Sequence, residues 1–363
     1  MTSVSKIEGS SPSRLVSLDA FRGFTMFWLL GGKAFVIALA SLAGLEFFRS
    51  QLNHSAWEGV RYYDIVWPSF MLMVGVAIPF SFTRRAADQT RGALLRAAWK
   101  RAAILFLPGS LRESIHDNTP RLVELSSALQ PIALAYLVTS YLAGRSVRLQ
   151  IGVAVGILAG YALLLAFVPP SGMQAGTYEL GRNLVTAVDE IVLGRAHKDG
   201  WGTVLSAIPT ISTTILGLLL GQVLLSERSA AQKMKVIALA GAGCLVAGFA
   251  LSPVVPVIMK LWTTTYGLMT AGWACWLFLF FYWLIDVRQS RAWAFPLIVI
   301  GSNALAAYLL PTIVPVRTIV GIFTKPAAAG LGVFGPVLTS GAALLASWLI
   351  LLWLYRRKIF LRP

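Results

Sequence analysis

Charged residues are scarce in this chain. Only 13% of its 363 residues are Asp, Glu, Lys or Arg, roughly half the proportion that is usual in soluble proteins. Apolar residues make up 57%, which is more than a water-soluble protein of this length could bury. These proportions exclude a soluble enzyme, a disordered chain and a coiled coil, and they indicate a polytopic membrane protein.

Cysteine and several catalytic signatures are also nearly absent. The two cysteines, Cys244 and Cys275, lie inside apolar runs. This argues against a disulfide framework, a zinc site and a thiol nucleophile, and favours buried, inert thiols. There is no Walker A loop, no HExxH and no GxSxG with a triad, so nucleotide hydrolysis and metalloprotease chemistry have no support. We expect no metal site.

Long apolar runs are plentiful, and they predict an all-α integral membrane protein with about ten transmembrane helices. The third run is short and carries Pro108-Gly109, so we expect it to be bent or broken and to borrow length from its flanks. A single transmembrane domain (18–355) lies between a polar N-terminus (1–17) and a basic tail (356–363). The predicted spans are 23–43, 62–83, 102–111, 125–143, 149–168, 203–225, 234–252, 263–285, 294–312 and 332–354.

Positive charges are concentrated on one side of this predicted bundle. With the N-terminus in the cytoplasm, the cytoplasmic segments hold 20 Lys or Arg and five acids, whereas the opposite segments hold ten of each. This positive-inside pattern predicts that both termini are cytoplasmic. It also explains the formal charge of +16 without a nucleic-acid partner. We predict a multi-pass protein of a bacterial inner (plasma) membrane, with the lipid bilayer as its surroundings.

Two spans carry glycines at intervals of four residues. Gly152, Gly156 and Gly160 form such a pattern in the fifth span, and Gly217 and Gly221 form another in the sixth. Small residues at this spacing favour close packing between membrane helices. We predict close helix contacts at both patterns, and a homodimer is a further, weaker hypothesis.

Three histidines are present, and all lie on predicted outer loops: His54, His116 and His197. Imidazole titrates near neutral pH, so histidine often transfers protons, although a loop histidine is more often a solvated bystander. If residues 54–58 are helical, Glu58 lies one turn from His54 and could orient its ring. Asp64 enters the second span at the same surface. Trp57 is either an interfacial anchor or part of a stacking floor for a sugar.

Lys33 is the one charged residue well within a predicted span, and it follows Gly31-Gly32. A charge at that depth is costly unless it is paired or hydrated, which marks it as a functional candidate. The alternative is a lysine that snorkels to the outer interface. The two glycines would let the helix open or let a ligand approach.

At the cytoplasmic side, Asp19 and Arg22 lie one turn apart where the first span begins. They form either a simple i,i+3 pair or the start of an anion site. With Arg101 and its basic neighbours, Arg22 would attract a polyphosphate such as the 3′-phospho-ADP end of coenzyme A, or anionic lipid. Gln130 and Asn303 are buried amides that commonly serve as hydrogen-bond partners between helices.

Several segments resemble one known family of membrane enzymes. The specific matches lie in the first 85 residues: Arg14 to Gly23 (RLVSLDAFRG), Asn53 to Gly59 (NHSAWEG), Asp64 to Phe70 (DIVWPSF) and Gly75 to Ser81 (GVAIPFS). Weaker matches follow at Ala128–Gln130, Pro209–Gly221, Trp283–Asp286 and Gly301–Ala304. Together they are similar to the transmembrane acyltransferases related to heparan-α-glucosaminide N-acetyltransferase.

This resemblance implies an activity and roles for individual residues. In that family acetyl-CoA binds from the cytoplasm and its acetyl group passes to the amine of a terminal glucosamine on the other side. His54 matches the catalytic histidine, as a general base or as an acyl carrier. The chain departs from the family at Lys33, where relatives carry a polar or acidic residue, and at Pro131, which replaces an arginine.

We therefore predict a membrane acyltransferase that takes acyl-CoA and an amino sugar or glycan. The competing hypotheses are an amino-sugar transporter, which should show structural repeats, and a structural membrane protein without a site. The predicted site residues fall into three groups. They are His54 for catalysis; Lys33, Trp57, Glu58 and Asp64 for the acceptor; and Arg22, Arg101, Gln130 and Asn303 for the donor.

Overall fold

The computed structural model describes residues 15–86, 88–120, 125, 128–170, 172–197 and 199–361. Most of the predicted polar N-terminus, residues 1–14, and the end of the basic tail, 362–363, lie outside the described residues. Within the described part the chain is almost wholly helical, and its one sheet is a hairpin of two short strands.

The α-helices are numbered here in chain order. They are α1 Val16–Phe27, α2 Lys33–Leu42, α3 Glu46–Gln51, α4 Val66–Ala86, α5 Arg91–Asp117, α6 Leu129–Leu142, α7 Val147–Phe167, α8 Leu184–Leu193, α9 Ala207–Leu225, α10 Ala230–Leu251, α11 Thr264–Phe281, α12 Phe295–Ser302, α13 Ala304–Ile313, α14 Val316–Gly330 and α15 Gly335–Arg356. The strands are β1 Tyr178–Glu179 and β2 Arg182–Asn183, which pair antiparallel.

Short turns of other helix types extend several of these helices. A π-helical turn, Trp28–Gly32, joins α1 to α2, and another, Tyr282–Val287, extends α11. A 3₁₀ turn, Tyr62–Ile65, leads directly into α4. Two further 3₁₀ turns, Ala292–Ala294 and Gly332–Phe334, precede α12 and α15.

Seven helices among the described residues are long and apolar enough to cross a membrane. They are Val16–Leu42, Tyr62–Ala86, Val147–Phe167, Ala207–Leu225, Ala230–Leu251, Thr264–Val287 and Gly332–Arg356. Each overlaps a span expected from the apolar runs. The predicted class, an all-α protein with several membrane-spanning helices, agrees with this set, whereas the count of ten spans stays a prediction.

The other three predicted spans correspond to less regular elements. α6 is apolar but has only 14 residues. The predicted span 294–312 is two helices, Ala292–Ser302 and Ala304–Ile313, that meet at Asn303 with a bend of 66°. The third is α5, which is rich in charge.

The prediction that the third span borrows length from its flanks is confirmed, whereas the alternative of a broken helix is wrong. α5 is one continuous helix of 27 residues, Arg91–Asp117, with Pro108 inside it. A proline removes one backbone donor and can leave the helix continuous on either side. The apolar run was short because the flanking turns carry charged side chains such as Arg101 and Arg112.

Close helix packing occurs at one glycine pattern and not at the other. A Cβ added to Gly217 would lie 2.1 Å from the carbonyl oxygen of Leu72, and one added to Gly221 would lie 2.5 Å from that of Val76. α9 and α4 therefore touch backbone to backbone, as predicted. The same prediction for Gly152, Gly156 and Gly160 is wrong within the chain, because no described atom lies within 4 Å of an added Cβ there.

Candidate functional site

A buried carboxylate holds His54. The Nδ1 atom of His54 lies 2.7 Å from Oδ1 of Asp64. The aspartate side chain is 0% exposed, whereas the imidazole is 36% exposed. A carboxylate can only accept hydrogen bonds, so a neutral imidazole in this contact carries its proton on Nδ1 and its lone pair on Nε2. The arrangement can therefore provide a base or a nucleophile at Nε2.

The local backbone explains why Asp64 is fixed in place. Its Oδ2 atom accepts hydrogen bonds from the backbone N–H groups of Arg61 (2.9 Å) and Ser55 (3.3 Å), which caps the 3₁₀ turn that begins at Tyr62. The hydroxyl of Tyr266 donates to the backbone carbonyl of Asp64 at 2.7 Å. Backbone N–H groups thus orient the carboxylate, and Tyr266 fixes the backbone that carries it.

Glu58 does not orient the histidine. Residues 54–58 are not helical, so the expected one-turn spacing between Glu58 and His54 is absent. The backbone of Glu58 instead bridges to Ile258, and its side chain is exposed. The guanidinium of Arg61 takes part in shaping this loop, because it donates to the carbonyl oxygen of His54 at 3.0 Å.

Two aromatic rings flank the imidazole. The ring centroid of Tyr63 lies 4.8 Å from that of His54, and the centroid of Trp201 lies 5.5 Å away with the rings edge to face. Lys33 places its Nζ atom 4.3 Å from the centroid of Tyr63, and it interacts electrostatically with Asp64. Lys33 therefore lies one aromatic ring away from His54.

The first helix opens immediately before Lys33. The residues Trp28–Gly32 form a π-helical turn, and Gly31 adopts a φ of +138°, a conformation that favours glycine over residues with a side chain. π-helical turns of this kind are frequent at functional sites. Of the two roles expected for Gly31-Gly32, the opening of the helix is confirmed, and the approach of a ligand stays a prediction.

One cavity of about 790 Å³ extends from His54 towards the far ends of α1, α4 and α5, a size that small-molecule sites commonly have. We name its two ends by their residues. The histidine end contains His54, Tyr63, Arg112, Glu113, His116 and Trp201, and the arginine end contains Arg22, Arg84, Arg85 and Arg101. Tyr63 and Arg84 lie 21 residues apart along one nearly continuous helical run, which corresponds to about 30 Å.

The stretch of cavity between the two ends is apolar. Its walls come from α1, α4, α5, α6 and α13, with side chains that include Met26, Trp67, Phe70, Leu105, Ile132 and Leu305. Such a passage suits an uncharged, slender ligand segment, because a charged group there would lose its hydration.

Arg101 has unsatisfied hydrogen-bonding capacity at the arginine end. Its guanidinium stacks over the ring of Tyr136 at 5.2 Å, and its buried Nε atom has no hydrogen-bond partner within the described part of the chain. Arg22, by contrast, pairs with Asp19 at 3.4 Å. A partnerless guanidinium N–H in a cavity is a ready donor for a phosphate or carboxylate.

A second charged pair at the histidine end was missed from the sequence. Arg112 and Glu113 contact each other at 2.5 Å, and Arg112 also stacks over Tyr308 at 5.2 Å. Both line the cavity, and Glu113 is buried. Both residues lie just outside the predicted span 102–111, where charged side chains are ordinary, so neither this pair nor Trp201 carried a signal in the sequence.

Trp57, Gln130 and Asn303 do not line the cavity. The indole N–H of Trp57 donates to the carbonyl of Tyr178 at 2.8 Å, which fastens the β1–β2 hairpin to the His54 loop. Gln130 donates to the hydroxyl of Ser110 at 2.9 Å and is fully buried.

Asn303 holds the C-terminal tail. Its amide donates to the carbonyl of Ile359 and accepts from the N–H of Leu361, both at 2.9 Å. These bonds occupy both polar groups of the side chain, so a direct role in donor binding is not supported. The neighbouring residues Ser302 and Leu361 do line the arginine end, and Asn303 shapes that end indirectly.

No cluster of three or more His, Cys, Asp or Glu residues that could hold a metal ion occurs in the described ranges. No protein-family model matches the chain, and no curated protein matches it.

Proposed function

We propose that this protein is a membrane-bound acyltransferase. It moves an acetyl or other acyl group from acyl-CoA, bound from the arginine end, to the amine or hydroxyl of an amino sugar or glycan at the histidine end. The observation that carries this proposal is a cavity with several arginine side chains at one end and the His54–Asp64 pair at the other.

The arginine end fits the phosphates of coenzyme A. Arg84, Arg85 and Arg101 form no ion pair with any residue that the structure describes, so their charges remain free for an anion. Charge-assisted bonds from guanidinium groups to phosphates are among the stronger hydrogen bonds in proteins. The slender, uncharged pantetheine arm then suits the apolar passage towards His54.

As a general base, His54 takes the proton of the acceptor. Nε2 accepts this proton while the acceptor nitrogen or oxygen forms a bond to the thioester carbonyl carbon. The carbon–sulfur bond breaks, and the departing thiolate takes the proton from Nε2. Proton transfer by a positioned side chain contributes about 10²–10⁴ in rate, and Asp64 stabilises the imidazolium that forms between the two transfers.

As an acyl carrier, His54 acts in two steps. Nε2 attacks the thioester carbonyl, the carbon–sulfur bond breaks, and coenzyme A leaves as a thiolate that takes up a proton from water, which gives an acyl-imidazolium beside Asp64. The acceptor then attacks this acyl group, the bond from the acyl carbon to Nε2 breaks, and the proton that the acceptor loses passes through Nε2 to water. Splitting one difficult step into two is the usual advantage of a covalent intermediate. Both routes use the same nitrogen and the same partner, and a burst of free coenzyme A without acceptor distinguishes the carrier from the base.

The direction of acyl transfer across the membrane is inferred from the charge pattern. Arg22, Arg84, Arg85 and Arg101 belong to the segments that the positive-inside rule assigns to the cytoplasm, where acyl-CoA is found. The acceptor then lies on the outer side of a bacterial plasma membrane.

Purified protein in detergent micelles tests the activity. We expect saturable binding of acetyl-CoA and release of free thiol when glucosamine or a related acceptor is added. His54→Ala should abolish transfer yet still bind acetyl-CoA, because His54 lies far from the arginine end. A wild-type protein that neither binds acetyl-CoA nor releases thiol with any of these acceptors contradicts the proposal.

The amino-sugar transporter is the second candidate, since a solute pathway would also need a long internal cavity. Uptake of labelled amino sugar into sealed vesicles without acyl-CoA would favour it. The locked His54–Asp64 pair favours the enzyme, because a proton-transfer dyad has a direct use in acyl transfer.

A further inference from the structure

One segment across the histidine end carries the indole that flanks the imidazole. Residues 199–204, which we name the Trp201 strap, precede α9. Trp201 lies edge to face with His54 at 5.5 Å, and both side chains line the cavity. Since Tyr63 flanks the same imidazole, Trp201 forms one of two aromatic walls where an acceptor would meet Nε2.

Asp189, on α8, holds the strap immediately after Trp201. Its Oδ2 atom accepts from the N–H of Thr203 and its Oδ1 atom accepts from the N–H of Val204, each at 2.9 Å. Two successive N–H groups thus share one carboxylate. An asparagine could accept only one of them, because its second terminal atom is a donor.

Lys260 ties the other side of the strap. The backbone carbonyl of Lys260 accepts from the N–H of Gly202 at 2.9 Å, and its ammonium donates to the carbonyl of Asp199 at 2.7 Å. A Cβ on Gly202 would lie 2.3 Å from Cγ1 of Val185, so the strap packs closely on α8. Trp201 therefore sits between fixed points on both sides.

Burying the carboxyl group of Asp189 to hold a loop costs free energy. Its side chain is 1% exposed, and it forms no ion pair with the described residues. Burial raises the pKa of this carboxyl above its ordinary value, although the N–H groups of Val204 and Thr203 oppose the shift. The chain thus keeps a carboxylate at a site where its ionisation is penalised.

We propose that Asp189 is a positioning residue for the transfer reaction: through the Trp201 strap it holds the indole against His54 and fixes one wall of the acceptor site. Asp189 does not line the cavity, so its effect passes through Trp201. The kinetic consequences of this inference rest on the proposed acyl transfer. The hold of Asp189 on the Trp201 strap, which we call the clamp, makes a further prediction that does not depend on any activity.

The kinetic test uses Asp189→Asn in the full-length protein. We expect KM for the acceptor to rise roughly tenfold or more, since misplacing a site wall by about 1 Å can cost up to a hundredfold. KM for acetyl-CoA should stay within about twofold, because the arginine end is untouched. Trp201→Ala should reproduce the rise, and the double variant should add nothing to it.

Two further variants control this result. Glu190→Gln removes the neighbouring, exposed carboxylate and should leave both KM values unchanged. Asp189→Glu keeps both oxygens on a longer side chain and should give an intermediate acceptor KM. It also serves as the test variant if Asp189→Asn does not fold. Additive effects of Asp189→Asn and Trp201→Ala would overturn the inference.

The test independent of activity is the rate at which diethylpyrocarbonate modifies His54, read by peptide mass spectrometry. We expect Asp189→Asn and Trp201→Ala to raise this rate several-fold, whereas Glu190→Gln should leave it unchanged. An unchanged rate at His54 overturns the clamp even if the protein transfers acyl groups. A raised rate supports the clamp even if no transfer is found, in which case the proposed function alone fails.

Discussion

The carboxylate of Asp64 is completely buried, yet it accepts a 2.7 Å hydrogen bond from an imidazole, His54, that is 36% exposed. Ten residues separate the two along the chain, and a capped 3₁₀ turn brings them together. This pairing combines a fixed, charged partner with a ring edge that remains available to a ligand. Most of the functional predictions follow from it.

Replacing Asp64 by asparagine should change the tautomer of His54 while the side chain at position 64 keeps its size. The amide can donate to Nδ1 and so place the imidazole proton on Nε2, the wrong nitrogen for a base. We expect kcat to fall by about 10²–10⁴ with little change in binding of acetyl-CoA. A variant that keeps more than half of the wild-type kcat would show that Asp64 does not orient the ring.

Replacing Asp64 by alanine should also destabilise the fold. Oδ2 of Asp64 accepts two backbone N–H groups, from Ser55 and Arg61, and alanine would leave both without this acceptor. A buried donor without a partner costs about 1–3 kcal/mol. Thermal unfolding should therefore occur at a lower temperature than in the wild type, and an unchanged unfolding temperature would contradict the hydrogen-bond assignment.

Arg101→Gln should weaken the binding of the acyl donor and leave the binding of the acceptor unchanged. The variant removes a charge whose Nε atom lacks a partner among the described residues, so we expect Kd for acetyl-CoA to rise roughly tenfold. Added salt should reduce the difference between wild type and variant, since it screens the exposed part of the interaction. Isothermal titration measures both effects.

Arg145→Gln provides the matched control for Arg101→Gln. Arg145 is an exposed arginine in the turn between α6 and α7, and it does not line the cavity. Its loss should leave Kd for acetyl-CoA unchanged. Equal weakening by both variants would mean that overall positive charge, and not a defined site, attracts the donor.

The sequence predicted the membrane class and singled out His54 and Asp64, but it assigned the orientation of the imidazole to Glu58 and did not identify the partners supplied by distant segments. Apolar runs locate helices that face lipid, such as α7 and α10, because hydropathy alone decides their placement. α5 does not follow this pattern, since Arg101, Arg112 and Glu113 interrupt its apolar sequence and line a cavity. The contact between Trp201 and His54 depends on a strap tied by Asp189 and Lys260, and no local pattern encodes such a contact.

The glycine patterns show the same limit. Gly217 and Gly152 occur in equivalent four-residue repeats, yet only the first meets a neighbouring backbone within the chain. Spacing states which residues share a helix face, whereas the packing of the whole bundle decides what that face meets. Gly217→Ala and Gly152→Ala therefore form a matched pair of variants.

Gly217→Ala should destabilise the protein and Gly152→Ala should not. The added methyl group at position 217 would lie 2.1 Å from the Leu72 carbonyl oxygen, whereas at position 152 it meets open space. Overpacking of this kind costs about 1–3 kcal/mol, so the unfolding temperature of Gly217→Ala should fall by several degrees. Equal unfolding temperatures for the two variants would contradict the contact between α4 and α9.

Asp189 should make stability depend on pH. Because burial raises its pKa in the folded state, ionisation favours the unfolded chain, where the pKa is near the ordinary value of 3.8. The contribution of the aspartate to stability is therefore complete below that value and declines as the pH rises through the raised pKa. The unfolding temperature of the wild type relative to that of Asp189→Asn should therefore decrease as the pH rises above about 4.

The most direct test of the account uses proteoliposomes with the protein in one orientation, acetyl-CoA labelled in its acetyl group on the arginine side, and glucosamine on the histidine side. We predict labelled N-acetylglucosamine on the histidine side and free coenzyme A on the arginine side. With His54→Ala neither should appear. Product that forms only when both substrates are on the same side, or that His54→Ala still makes, would contradict transfer through this cavity.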